Sequence, residues 1–406
     1  MYIQSLSIQN LRCFREARLQ LRYPGELNPP ETSFPNVNLL LGNNGAGKTT
    51  VLKSAALGVL ASVISKSGFV PYHLVRRGTD KAVIETELIS HEPDRMADIP
   101  PGTALNLISE IVRDGDYEEL LQKGPFLGTL FVDDSPAWFI VGYGATRRVE
   151  TGEYSASSEE RRRRLRYRRV AGLFEEGVAL TPLAAWLPLF QRERPKVHDA
   201  ALRLINRLLP EELRFHGEME GESKGLRERE YLFEHRGFSV PFGALSDGYQ
   251  AYVGWVADLA YHLASVAPSK GELWDYPGIV LIDEIDLHLH PEWQRRVIEM
   301  VAKALPHMQF IFSTHSPIVA GTLKRGNIFV TEPAPDGSSE VRQLQEHIYG
   351  LNADQVLVSS YFNLNTTRAP GFERQMHQLT QRAWDGDEDA AVEMLRQLTG
   401  KTARNE

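Results

Sequence analysis

Val37-Asn38-Leu39-Leu40-Leu41 runs directly into Gly42-Asn43-Asn44-Gly45-Ala46-Gly47-Lys48-Thr49, and a helix-forming run from Thr50 to Ile64 follows. The octapeptide matches G-x-x-x-x-G-K-[ST] at every fixed position. Both flanks fit, with an apolar run of the buried-strand kind before it and a helix after it. Glycines let the backbone curl so that successive N–H groups face inward on phosphate oxygens. The helix brings its positive N-terminal end to the same anion. Lys48 adds a full charge at the β- and γ-phosphates, and the Thr49 hydroxyl is placed to ligate Mg2+. Asn43, Asn44, Gly45, Ala46, Gly47, Lys48, Thr49 and Thr50 are the expected phosphate-binding residues.

Three later segments extend this pattern. Leu245-Ser246-Asp247-Gly248-Tyr249-Gln250 precedes apolar positions Val253, Val256, Ala260, Leu263 and Ala267, whose spacing predicts a helix starting here. Ser246 and Gly248 then sit at a second anion-binding helix tip. Gly278-Ile279-Val280-Leu281-Ile282 reads as a buried parallel strand, and Asp283 and Glu284 emerge at its C-terminal end, where ligands bind in open α/β sheets. Asp283 is positioned to hold Mg2+, and Glu284 to orient and deprotonate an attacking water. Met308-Gln309-Phe310-Ile311-Phe312 is a third such strand, ending in Ser313-Thr314-His315-Ser316, from which His315 can reach the γ-phosphate or the water.

Composition narrows the surroundings. The 406 residues allow two or three domains, or one large domain with insertions, at about 100–200 residues per domain. Hydrophobic residues make up 42% and charged residues 24%, which excludes wholesale disorder. Acidic residues outnumber basic ones 53 to 45, so the chain is not a uniformly basic nucleic-acid coat, although a local basic patch stays open. The single cysteine, Cys13, cannot form an internal disulfide, which points to a reducing compartment. No apolar run reaches the ~20 residues of a spanning helix, and the alternating N-terminus does not read as a signal peptide. The expected location is cytoplasmic, without membrane insertion.

Residues 2–8 and 16–22 alternate and predict a hairpin; 23–35 read as a long loop; 125–132 and 137–141 read as strands. Gly142-Tyr143-Gly144-Ala145-Thr146-Arg147-Arg148 follows, either a surface turn or a loop near phosphate. Residues 155–235 are rich in Glu, Arg and Leu, with helical spacing at Leu180, Leu183 and Leu187 and at Leu202, Ile205 and Leu209; they predict a helical insertion. Within it, Arg161, Arg162, Arg163, Arg164, Arg166, Arg168 and Arg169 form the densest charge cluster, either a solvated helix face or a strip for DNA or another polyanion. His288 and His290 fall short of the four ligands of a structural zinc site. Asp385-Gly386-Asp387-Glu388-Asp389 precedes a helix-like run and reads as a helix cap.

Phosphate loop, Leu-Ser-x-Gly-x-Gln, apolar run with Asp-Glu, then Thr-His: in this order the motifs resemble the ABC-type ATPase head. Ile8-Gln9-Asn10-Leu11-Arg12-Cys13-Phe14, the block Asp283-Glu284-Ile285-Asp286-Leu287-His288-Leu289-His290-Pro291 and Ser313-Thr314-His315-Ser316-Pro317 are similar to the RecF, SMC and OLD branch, including the small bacterial AAA-family ATPases of the Septu kind. The fold implied is an α/β P-loop NTPase head with an N-terminal β-hairpin lobe. Residues 1–345 form that head, interrupted by a helical insertion at about 151–236, and 346–406 form a C-terminal helical extension. The resemblance also implies ATP and Mg2+ as ligands, ATP hydrolysis, and a homodimer or higher even oligomer. Each ATP would touch Lys48 and Thr49 of one subunit and Ser246 and Gly248 of the other. Asp283 would serve Mg2+, Glu284 the water and His315 the γ-phosphate, while residues 286–290 cross to the partner subunit.

The family's glutamine loop has no counterpart, since the first glutamine after Thr50 is Gln122. The stretch after the ATPase motifs is shorter than the nuclease domain of OLD proteins, so a separate effector, such as an HNH nuclease, is implied. DNA metabolism or anti-phage defence is the implied setting. The alternatives are the nucleotide-binding subunit of a membrane transporter and a low-turnover ATP-dependent scaffold or sensor.

Overall fold

The computed structural model describes every residue except 28, 93, 95–98, 134, 150–164, 220–230, 268–270 and 400–406. Strands β1 (Tyr2–Leu11), β2 (Phe14–Gln20), β3 (Val37–Gly42), β4 (Lys81–Ile89), β5 (Ala104–Asp114), β6 (Tyr117–Lys123) and β7 (Ile140–Tyr143) precede a small three-stranded sheet. That sheet consists of β8 (Leu213–Met219), β9 (Tyr231–His235) and β10 (Phe238–Pro241). Strands β11 (Gly278–Ile282), β12 (Met308–Ser313), β13 (Ile328–Pro333) and β14 (Ser339–Arg342) return to the large sheet. Its order is β6-β5-β4-β1-β2-β14-β13-β3-β12-β11-β7.

The large sheet has two characters. From β13 through β3, β12 and β11 to β7 every pair is parallel. From β6 through β5, β4 and β1 to β2 every pair is antiparallel, and the expected N-terminal hairpin is β1–β2, with Leu6 opposite Leu19 and Ile8 opposite Ala17. Parallel strands need both faces covered, and the side chains show it. Leu39, Leu41, Val280, Ile282, Phe310 and Phe312 face one apolar layer; Leu40, Ile279, Leu281 and Ile311 face the other. Helix α1 (Lys48–Ile64) fills the second layer and is buried on nearly every side, as its all-round apolar sequence requires. Helix α2 (Asp247–Val266) fills the first. This is the expected α/β class.

Two polar side chains stitch the halves together. Asn38 on β3 accepts from the Arg22 N–H at 2.7 Å and donates to the Arg22 and Phe310 carbonyls at 2.9 and 3.0 Å. Gln309 on β12 accepts from the Ile3 N–H at 2.8 Å and donates to the Ile3 and Arg22 carbonyls at 2.7 and 2.9 Å. Both are wholly buried, at 0% exposure, so each bond satisfies backbone that water cannot reach.

Some local expectations change. Residues 125–132 were expected to be extended, yet Leu127–Phe131 form a 3-10 turn. Gly124 and Phe126 take positive φ there, which breaks any strand. The next strand starts at Ile140 rather than 137, because Trp138 also has positive φ, at 58°. Helices Leu183–Glu193 and Pro195–Leu208 occupy the stretch expected to be helical, but β8 and β9 lie there too, with Leu213, Phe215, Tyr231 and Phe233 buried in alternation. After residue 346 come the helix Ala353–Val358 and the pair α3 (Pro370–Trp384) and α4 (Glu388–Thr399). Asp387 caps α4 by accepting from the Ala390 N–H at 3.0 Å.

Replacing Gln309 by Leu strands the Ile3 N–H and carbonyl in the interior and leaves the Arg22 carbonyl with Asn38 alone. Equilibrium denaturation is expected to show a loss of about 3 kcal/mol, and an unchanged midpoint would contradict the stitching role.

Candidate functional site

The phosphate loop is shaped by what surrounds it. Gly42 has φ 147°, and a Cβ there would lie 2.2 Å from the Thr331 carbonyl oxygen on β13. Gly47, the N-cap of α1, has φ 107°, and a Cβ there would lie 2.5 Å from the Phe14 ring on β2. Both positions are therefore closed to side chains by sterics as well as by torsion. The first bond of the following helix is Val51 N–H to the Gly47 carbonyl at 3.0 Å. Ahead of it, the amides of Lys48 and Thr49 have no backbone acceptor among the described residues, the arrangement that suits an anion.

Strands β3, β12 and β11 are neighbours, so their C-terminal ends deliver their polar residues to one place. Lys48 Nζ donates to the Gly42 and Asn43 carbonyls at 2.8 and 3.2 Å and stands 2.7 Å from His315 Nε2. Thr49 Oγ1 donates to Asp283 Oδ2 at 2.7 Å. The Ser313 hydroxyl donates to the other Asp283 oxygen and accepts from the Glu284 N–H at 2.8 Å. Thr314 donates to Asp286 in the next turn. A hydroxyl and a carboxylate already in contact form the donor set that a hard, oxygen-seeking dication takes, so these residues fit Mg2+.

Glu284 has φ 50°, unusual for this residue type, and its carboxylate makes no hydrogen bond among the described residues. Its backbone is held instead. Arg147, on the loop after β7, donates to the Asp283 carbonyl at 3.2 Å and to the Glu284 carbonyl at 2.7 Å. The Asp283 N–H donates to the Tyr143 carbonyl at 2.8 Å. Burial lowers the Arg147 pKa to about 10, against the pull of Asp283, Asp286 and Glu284. The sequence offered Arg147 only as part of a turn or phosphate loop; its contact with the two backbone carbonyls depends on β7 lying beside β11, which no local pattern announces.

Electrostatics at Lys48 and His315 are coupled. Burial lowers the Lys48 pKa, and Asp283, Glu284 and Asp286 oppose that shift. Burial and then the Lys48 charge lower the His315 pKa. A neutral imidazole Nε2 can accept from the ammonium, which accounts for their close approach.

Ser246 is the N-cap of α2 and is exposed; its side chain makes no capping bond. Gln250 donates to the Gly243 and Leu245 carbonyls at 3.1 and 2.7 Å and so holds this turn. A Cβ on Gly248 would lie 2.7 Å from the His288 carbonyl, so the turn packs on the 286–290 loop. Lys48, Thr49, Asp283, Glu284 and His315 thus form one cluster, while the 245–250 turn, packed on the 286–290 loop, presents Ser246 to solvent. Gln122 lies elsewhere, on β6, where it accepts from the Ser62 N–H at 2.9 Å and donates to the Gly58 carbonyl at 3.0 Å.

The arginine strip needs correction. Arg161, Arg162, Arg163 and Arg164 lie outside the described residues. Arg166 is 1% exposed and donates to the Ala137, Trp138 and Val132 carbonyls at 2.6, 3.0 and 2.8 Å. Arg169 is also buried, and only Arg168 of the three is half-exposed. Arg166 and Arg169 are thus interior groups that no polyanion on the surface can reach.

Residues 37–320 match the family model described as "AAA domain, putative AbiEii toxin, Type IV TA system", and residues 5–60 match a further AAA-domain model. The Septu protein PtuA of Bacillus mycoides (strain KBAB4) is 25% identical over 377 residues, covering 90% of this chain and 45% of that protein. The Retron Vc95 probable ATPase of Vibrio cholerae serotype O1 biovar El Tor is 42% identical over 121 residues, covering 30% of this chain and 23% of that protein. The chain thus spans less than half the length of these curated relatives. In fold it is similar to an SMC head solved bound to the C-winged helix domain of ScpA, with a TM-score of 0.52 at 18% identity over 85% of this chain and 98% of that one. Among the described residues no helix is long and apolar enough to cross a membrane.

Nuclear magnetic resonance titration of His315 is expected to give a pKa below that of an ordinary histidine. Lys48→Ala removes a neighbouring positive charge that disfavours the imidazolium, so the titration moves upward in that variant. A His315 pKa that stays put or falls contradicts the coupling.

Proposed function

The chain belongs to this AAA-domain family and is related to Septu and retron ATPases, and from that premise we propose that it binds ATP with Mg2+ and hydrolyses it. We further propose that two copies close around the nucleotide and that closure gates a DNA-related or anti-phage defence activity carried by a separate effector, such as a nuclease. The observation that carries the reading is the meeting of Lys48, Thr49, Asp283, Glu284 and His315 at three neighbouring strand ends. In this reading residues 1–345 are the head, with 151–236 inserted and 346–406 appended, and the protein works in the cytoplasm.

The chemistry follows from the side chains. Charged phosphate oxygens are stronger acceptors than peptide carbonyls, so Lys48 exchanges its bonds to Gly42 and Asn43 for the β- and γ-phosphates. The free amides of Lys48 and Thr49 take the oxygens between. Bound Mg2+ would supply charge neutralisation on the phosphates, held by Thr49 and Asp283. Glu284, its carboxylate without a hydrogen bond among the described residues and its backbone clamped by Arg147, orients a water and takes its proton. His315, released from Lys48, donates toward the γ-phosphate.

One loop grips one side of a triphosphate. A second helix tip, Ser246 and Gly248 from the partner copy, can grip the other side, and that grip is lost when the γ-phosphate leaves. The nucleotide then works as a reversible clasp between two heads. Arg168 and the 161–164 arginines remain candidates for nucleic-acid contact.

Lys48→Ala is expected to abolish ATP turnover by weakening binding. Glu284→Gln should lower turnover by about a hundredfold or more while ATP binding persists, so an ATP-dependent doubling of mass becomes stable in light scattering. Ser246→Arg should block that doubling and leave one-to-one ATP binding. Turnover at the native rate in Glu284→Gln removes the base assignment, and doubling that survives Ser246→Arg removes the clasp.

A further inference from the structure

One rim of the large sheet is open. β6 is its last strand, and among the described residues the backbone of Tyr117–Lys123 bonds only to β5. The turn at Gly115 and Asp116 closes on the pair Asp114 and Tyr117. Antiparallel pairing alternates from there without a register shift, so Glu118, Leu120 and Gln122 aim their N–H and C=O groups away from β5. Such a row is a template for another strand.

The strand behind this row is held firmly. Glu118 accepts from the Leu74 and Val75 N–H groups at 2.8 and 3.0 Å, and Gln122 is bonded to Ser62 and Gly58 of α1. Leu120 is buried between them. These inward side chains fix the edge before any partner arrives, which lowers the ordering cost of docking there.

The alternate side chains point outward and carry the specificity. Tyr117 is 73% exposed and Leu121 40%, and Glu119 and Lys123 are exposed as well. Glu119 makes no ion pair among the described residues. Lys123 pairs with Glu110 at 3.0 Å, but Glu110 also serves Lys81 at 2.8 Å, so one positive charge is in excess there.

A second copy of β6, laid antiparallel along the rim, satisfies both charges in one register. With Leu121 opposite its own counterpart, Glu119 of each copy lies opposite Lys123 of the other. A slip of two residues sets Glu119 or Lys123 against Leu121. A slip of four sets Glu119 against Glu119, or Lys123 against Lys123, and like charges directly opposite are unfavourable. The charges that guard this edge against slipped pairings therefore favour the two-fold one, and a two-fold contact closes at a pair.

From this complementarity we infer that β6 pairs antiparallel with β6 of a second copy of this chain, centred on Leu121 and independent of nucleotide. The contact lies at the rim opposite β7, apart from the Ser246 tip and the phosphate loop. A strand edge is a small interface, so the pair is reversible at about micromolar concentrations.

The test uses the full chain without nucleotide, so its outcome is independent of the ATP-dependent closure. Sedimentation velocity over a concentration series is expected to show a monomer–dimer equilibrium. Glu119→Lys and Lys123→Glu should each weaken it at least about tenfold, and the double variant should return to within about threefold of the native chain. A merely structural role for either residue would not give that rescue. Register is read by cross-linking in a Cys13→Ser background. Leu121→Cys should form an intermolecular disulfide on mild oxidation with diamide, since a directly opposed pair suits that bond. Glu119→Cys should not, because its counterpart lies roughly 13 Å away along the strands. A chain that stays monomeric up to about 100 μM, dimers untouched by both charge reversals, or Glu119→Cys cross-linking as readily as Leu121→Cys overturns the proposal.

Discussion

The site is organised by one carboxylate. Asp283 accepts from Thr49 at the start of α1 and from Ser313 at the end of β12, while its own amide is tied to Tyr143 at the end of β7. Four separate stretches of sequence are thereby held to one point. Only a parallel sheet with β3, β12, β11 and β7 in consecutive order can bring these ends together, and only strands apolar on both faces can form such a sheet. The burial of Leu39 and Leu41 in one layer and of Leu40 in the other is therefore as much a part of the site as the phosphate loop.

Much of this was legible in the sequence because the signals are local. The phosphate loop carries its own strand and helix, Asp283 and Glu284 directly follow five apolar residues, and the β1–β2 hairpin alternates plainly. What stayed hidden is non-local. The hold of Arg147 on the backbone of Asp283 and Glu284 needs the pairing of β7 with β11, and the work of Asn38 and Gln309 needs two lobes in register. Composition also misled at the arginine strip: a charge count does not show that Arg166 is spent on interior carbonyls. The β8–β9 pair escaped notice because its short alternation sits in a segment dominated by Glu, Arg and helical leucine spacing.

The two faces of the sheet carry different duties. The face filled by α1 supports the phosphate loop, and the face filled by α2 supports the exposed Ser246 tip. The Tyr143 hydroxyl and the Asp258 carboxylate, which also accepts from the Thr181 N–H, join α2 to β7 within the interior, so the tip and the Asp283 strand end share a frame.

Asn38 and Gln309 have a mechanical consequence. They anchor Arg22 and Ile3 to the central strands by several buried bonds, so the antiparallel lobe cannot swing against the parallel half without exposing unpaired backbone. A displacement of β3 or β12 that keeps these bonds intact carries the start of β1 and the end of the β2 segment along with it.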